Sequence, residues 1–247
     1  MMMSLDVSIM TKRRWLFILG FLCVAGLAVG LYLYQNLVNI DSDSNNYIAE
    51  WLNNPASRTE LITTHACEDA PFLLPSTGFI GLLYRDVARP YNGLSRHTGI
   101  DIFGDGDLGT VPIFAAYDGY LTRLNDWRAT VIIRHDDPLI PGRTIWTYYT
   151  HMANLDGSVS FIVEDFPPGT TDQFVERGTL LGYQGNYNGG RFDIAMHLHF
   201  SIVKSNKDGT FKNEAILRNT LDPSPYFGLP LDLDARATRP IRCKTDS

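Results

Sequence analysis

The chain has 247 residues, 45% hydrophobic and 19% charged, enough for one sizeable domain and a small appendage. Its formal net charge is −6; beyond Tyr34, 18 basic residues face 26 acidic ones, leaving −8. That balance gives no broad electrostatic reason to bind nucleic acid, so none is expected as a partner.

Lys12, Arg13 and Arg14 precede a run without charge at 15–34. About twenty apolar residues suffice to cross a hydrocarbon core about 30 Å thick. A basic flank on the N-terminal side keeps 1–14 in the cytoplasm and exports the rest. Tyr32 and Tyr34 suit the far interface. The expectation is a single-pass transmembrane signal-anchor at 15–34 in the cell membrane, with the remaining chain extracytoplasmic. A signal peptide cut near Gly26-Leu27-Ala28, giving a secreted protein, is the competing reading. Residues 35–77 read as a linker and a short helix. Asp41 to Asn46 are polar, and Tyr47, Ile48, Trp51 and Leu52 recur at helical spacing before Pro55.

From Phe79 onward, short β-rich runs alternate with Gly, Pro, Asn and Asp. Runs at 113–116, 120–124, 130–134, 145–149 and 197–203 predict a mainly β fold with an antiparallel sheet. The main domain is placed at 78–227. The tail at 228–247 begins beyond Asp222-Pro223 and is expected to wrap the domain's edge.

Two stretches in that domain carry metal-type side chains: His97-Thr98-Gly99-Ile100-Asp101 and, a hundred residues on, His197-Leu198-His199. Imidazole and carboxylate together suit a borderline divalent ion such as zinc, and three protein ligands leave room for a catalytic water. Strand side chains alternate, so residues two or four apart share a face. His97 with Asp101, and His197 with His199, could therefore meet in one cleft while Leu198 and Phe200 turn to a core. Asp101 also has a bland reading as a turn residue. The unpartnered histidines His65 and His135 read as structural; His135 follows Val131-Ile132-Ile133-Arg134 as a strand-end residue.

At these residues the sequence resembles the M23 family of zinc metallopeptidases, the lysostaphin-like or LytM-type peptidoglycan endopeptidases. The resemblance rests on an ordered series: 96–102 around the first motif, 111–120, 131–135, Tyr148-Tyr149-Thr150-His151-Met152, 175–182, and Met196-His197-Leu198-His199-Phe200. It implies a twisted antiparallel β-sheet core with a groove on one face. It implies one zinc ion on His97, Asp101 and His199, and His151 and His197 as catalytic histidines that do not bind the metal. The implied activity is hydrolysis of peptide bonds in cell-wall peptidoglycan by metal-activated water. Two alternatives stay open: a non-catalytic LytM-type module that binds wall or activates an amidase, and an exported protease acting on a protein. Protein partners are not specified by the sequence.

Tyr148, Tyr149, Tyr187 and Asn188 are candidate cleft residues, although strand aromatics usually pack in cores. Three connections are longer than the family pattern: 136–144, 156–174 and 186–195. Of three cysteines, Cys23 lies in the apolar segment. Cys67 and Cys243 bracket the domain and could pair, stabilising the fold by roughly 4–5 kcal/mol in the chain-entropy picture.

Overall fold

The computed structural model describes residues 7–35 and 42–243. The side chains of Lys12, Arg13, Arg14 and Leu16, and the linker at 36–41, lie outside the described residues. Helix α1 covers Val7–Leu33, and its described side chains, Trp15 and Phe17 among them, are almost all exposed. Among the described residues no helix is long and apolar enough to cross a membrane.

Helix α2, Asp43–Asn53, begins at Ser42, whose side chain accepts from the Ser44 N–H. Its helical spacing buries Trp51 and half-buries Tyr47 and Ile48, but leaves Leu52 exposed. Trp51 stacks on Phe79 at 5.3 Å, which fixes the helix against the domain. A 3-10 turn and a one-turn helix, α3 at Arg58–Leu61, follow.

The domain is built on an eight-stranded antiparallel sheet. Its strands are β1 (Phe79–Ile80), β2 (Ile100–Phe103), β4 (Gly119–Thr122), β5 (Val131–Asp136), β6 (Thr144–Thr150), β7 (Gln173–Val175), β9 (Leu198–Lys204) and β10 (Thr220–Leu221). The order is β1-β2-β9-β6-β5-β4-β7. Strand β10 shares one edge of β9 with β2, pairing with Ile202 and Val203 where β2 pairs with 198–200. Strands β3 (Pro112–Phe114) and β8 (Leu180–Tyr183) form a separate ribbon. The mainly β expectation and its five strand runs are met, with ends shifted by one or two residues. A short helix, α4 at Ser224–Phe227, follows β10.

Alternation divides the sheet into two faces. Ile100, Ile102, Val131, Ile133, Ile145, Tyr149, Leu198, Phe200 and Ile202 enter the main core. That core also takes Phe166 from the 156–174 connection and Leu229, Leu231 and Ile241 from the tail. Burying such side chains contributes about 1.5–3 kcal/mol each before entropy is counted. The opposite face carries Asp101 and His199 beside a smaller cluster of Ile132, Trp146 and Val203. Cys67 and Cys243 form a disulfide with a Cα–Cα distance of 5.6 Å.

Candidate metal centre and active site

Asp101 sits on β2 directly across from His199 on β9, and His199 in turn faces Thr150 at the end of β6. Backbone pairing on both edges of β9 thus fixes where the His199 ring points. His97 departs from the strand expectation: β2 starts at Ile100, and His97 lies in the irregular segment before it. Two backbone bonds hold it instead. Its N–H donates to the Asp86 carbonyl at 3.0 Å, and its carbonyl accepts from the Arg85 N–H at 3.0 Å. Gly99 permits the close approach, because a Cβ there would overlap the Phe200 carbonyl.

Three atoms meet at one point. His97 Nε2 and His199 Nδ1 are 2.9 Å apart, and Asp101 Oδ1 is 3.1 Å from the first and 2.9 Å from the second. All three residues are buried. The far nitrogen of each imidazole is committed: His97 Nδ1 donates to the Leu83 carbonyl at 2.9 Å, and His199 Nε2 donates to Glu214 Oε1 at 2.9 Å. Since a carbonyl only accepts, the His97 proton sits on Nδ1 and the Nε2 lone pair faces inward. Such partners orient a ligand and raise its basicity.

Electrostatics reinforce the arrangement. Burial opposes charge on Asp101, but the surrounding histidines outweigh it and hold the carboxyl well below its usual range. Burial likewise raises Glu214, yet His199 and the bond from Thr98 bring it down to about 2. His199 is pushed the other way: burial lowers it, but Glu214 and Asp101 on either side raise it to about 10. A divalent ion fits the meeting point, because it would take all three lone pairs at once in place of a proton. Tetrahedral ligand distances of about 2.0–2.1 Å place ligand atoms roughly 3.3 Å apart, a few tenths of an ångström beyond what is observed.

The other two histidines stand beside this cluster. His197 Nε2 lies 3.6 Å from Asp101 Oδ2, and the His151 ring is 4.5 Å from the His197 ring, centre to centre. His197 Nδ1 donates to the Ala195 carbonyl at 2.7 Å and His151 Nδ1 to the Tyr187 carbonyl at 2.6 Å. Each Nε2 is thereby left as the proton acceptor. Burial keeps both rings neutral; with the neighbouring histidines it brings His151 down to about 3. His151 has a left-handed backbone, φ 74°, a conformation that costs a non-glycine residue of order 1–3 kcal/mol and clusters at functional sites. Gly185 packs tightly there: a Cβ would overlap the carbonyls of His151 and Ala153.

All five residues singled out from sequence are brought together. The cleft candidates fare differently. Tyr149 is fully buried in the core and its hydroxyl accepts from the Ala116 N–H at 2.9 Å, so it is not a cleft residue. Its place in the alternation, two residues from Thr147 and four from Ile145, puts it on the core face. Asn188 closes its own loop, donating to the Phe192 carbonyl and accepting from the Arg191 N–H. Tyr148 is on the site's face, half-buried beside Trp127. Tyr187 offers its carbonyl to His151 while its ring lies against Gly157. His135 is structural, with Nδ1 bonded to the Asp118 carbonyl and Nε2 to Thr147 Oγ1, both at 2.7 Å.

Sequence reasoning missed Glu214 and Tyr91. Tyr91 packs its ring 4.9 Å from that of His97, and burial with the nearby Asp101 and Glu214 charges keeps its phenol protonated. Neither residue stands in a periodic run or at ligand spacing. A carboxylate that reaches a histidine from a loop leaves no local signal.

The model of peptidase family M23 matches residues 95–211. No curated protein matches significantly. Among solved structures, lysostaphin from Staphylococcus simulans is similar at 21% identity and TM-score 0.33, covering 53% of this chain and 43% of that one. The catalytic domain of a mutant of the prophage-encoded M23 protein EnpA from Enterococcus faecalis is similar at 20% identity and TM-score 0.32, covering 62% and 95%. Csd3 of Helicobacter pylori is similar at 19% and TM-score 0.32, covering 62% and 33%. The chain thus spans less than half the length of lysostaphin and of Csd3, and similarities of this size carry no argument about activity. Residues 95–211 hold all five of the histidine and aspartate positions, and by that match this segment of the chain is assigned to peptidase family M23.

Proposed function

We propose that this is a zinc-dependent endopeptidase that hydrolyses peptide bonds in cell-wall peptidoglycan. The observation that carries the reading is the convergence of His97, Asp101 and His199 ligand atoms, all within 4.8 Å of one another, beside two neutral histidines. When bound, zinc would polarise the scissile carbonyl and lower the pKa of its water toward 7. His97, Asp101 and His199 would hold it.

The chain's own residues do the rest. With Nδ1 on a carbonyl, His151 and His197 each keep Nε2 as the acceptor nitrogen, so either would accept a proton from the attacking water. The protonated Nε2–H then donates, to the carbonyl oxygen as it gains charge or to the departing amine. Fixing each Nδ1–H on a backbone carbonyl keeps the imidazoles from turning and sets which nitrogen exchanges the proton. Release of wall peptides, identified by mass, tests the reading. Wild type should release them and His199→Ala should not; equal release by both would refute the catalytic role, and an inert wild type without zinc would favour a wall-binding module.

We also infer that α1 anchors the chain in the cell membrane with the domain on the extracytoplasmic side. The uncharged run at 15–34 and the three basic residues before it support this. Extraction at alkaline pH is the check: an anchored chain stays with the membrane, whereas one recovered in the supernatant sinks the inference.

A further inference from the structure

Asp86 is fully buried, and its carboxylate accepts five hydrogen bonds. Three come from its own turn: the N–H groups of Leu83 at 3.2 Å, Val87 at 2.8 Å and Ala88 at 2.9 Å. Two come from the start of α2: Ser42 Oγ at 2.7 Å and Ser44 Oγ at 2.6 Å. The same turn holds the ligand His97, through the Leu83 carbonyl on Nδ1 and the Asp86 carbonyl on the backbone N–H. One residue therefore joins the segment next to α1 to the metal centre.

Neighbouring contacts brace this joint. Arg239 from the tail donates to Ser44 Oγ at 3.2 Å and to the carbonyls of Ile80 and Gly81, and its guanidinium lies over the Tyr47 ring of α2. The Arg89 N–H donates to Asn45 Oδ1 at 3.1 Å. A second route runs through rings: Trp51 of α2 stacks on Phe79, Phe79 packs on Phe103 at 5.8 Å, and Phe103 stacks on His197 at 4.9 Å. Asp86 and α2 lie outside the segment matched by the family model.

We propose that Asp86 is a positioning residue for the metal centre, and that docking of the α1-proximal segment through Ser42 and Ser44 sets how tightly His97 holds metal. This rests on the metal reading above. A buried carboxylate that loses hydroxyl donors is left under-satisfied, and the turn relaxes to find others. Because that turn supplies both acceptors for His97, the aim of Nε2 relaxes with it. The start of α2 then helps to set the site from outside it.

The test is zinc affinity of the full-length protein in detergent, by competition with a chelator. Loss of a partner that orients a ligand typically weakens metal binding 10–100-fold. Asp86→Asn should fall in that range, and the double variant Ser42→Ala, Ser44→Ala should weaken binding several-fold. The double variant Ser42→Thr, Ser44→Thr restores the hydroxyls and should recover affinity to within about threefold of wild type. Val175→Ala, a core truncation on the far strand β7, should lose stability without losing affinity. Cobalt-loaded protein gives a spectroscopic readout, with the visible bands of the alanine double variant shifted from wild type. The inference is overturned if the alanine double variant, folded, binds zinc within twofold of wild type, or if Val175→Ala loses as much affinity. If His199→Ala binds zinc as wild type does, the metal reading itself fails.

Discussion

His135 and His199 are both buried histidines in the same sheet, on β5 and β9, yet they face opposite sides and end differently. His135 has both ring nitrogens satisfied by the protein, a carbonyl on one and a hydroxyl on the other. His199 has one nitrogen on Glu214 and the other at a point shared with His97 and Asp101. Burial brings His135 down to about 4, whereas two flanking carboxylates raise His199 to about 10 against the same burial. The structural histidine has one neutral partner on each nitrogen, whereas the candidate ligand turns one nitrogen to a point where a second imidazole and a carboxylate also converge.

The sharpest way to break this contrast is at the histidines beside the metal. His151→Ala should retain zinc while peptide release falls by about 10²–10⁴-fold, the usual range for a lost acid–base group. Metal analysis and product release on the same sample decide it, and loss of zinc would mean that His151 belongs with the ligands. Next comes the linkage at His135. Its folded pKa of about 4 lies below the unfolded 6.5, so between those values the unfolded chain binds more protons and stability rises with pH. The contribution is full above pH 6.5 and is lost as pH falls through 4, roughly 3 kcal/mol at most at 1.36 kcal/mol per unit. Denaturant melts from pH 7 to 4 should show a shallower pH slope in His135→Asn than in wild type; matching slopes would show that His135 does not carry the linkage. Smallest is Glu214→Gln, which keeps the shape but removes the charge behind His199. Zinc affinity should drop about 10–100-fold, and an unchanged chelator titration would show that the strand pairing on both edges of β9 orients His199 without it.

The period-two pattern in 197–203 makes both faces of β9 legible from residue types alone: Leu198, Phe200 and Ile202 reach the core, and His199 the other side. The same logic gives Asp101 its face. It fails for His97, whose position comes from irregular backbone held by Asp86 and Arg85. The Ser42–Asp86 and His199–Glu214 contacts are illegible for a related reason. They join loop or cap residues through tertiary geometry, and polar side chains in turns have no period to betray a distant partner. Carbonyl acceptors such as those of Tyr187 and Ala195 are backbone atoms, so no residue type signals them. Tyr149 escapes a reading by residue type because an aromatic in a polar-looking strand reports burial only once the sheet's two faces are assigned.

The Cys67–Cys243 bond spans 176 positions and encloses every residue of the candidate site. Within that ring, one cut by a foreign protease in an exposed turn, such as the one bearing Phe192, breaks the backbone but frees no fragment. Both halves stay tethered at the disulfide and can reassociate as neighbours. A wound at the surface then becomes a local event, and only a second cut, or a reductant, would let part of the molecule diffuse away.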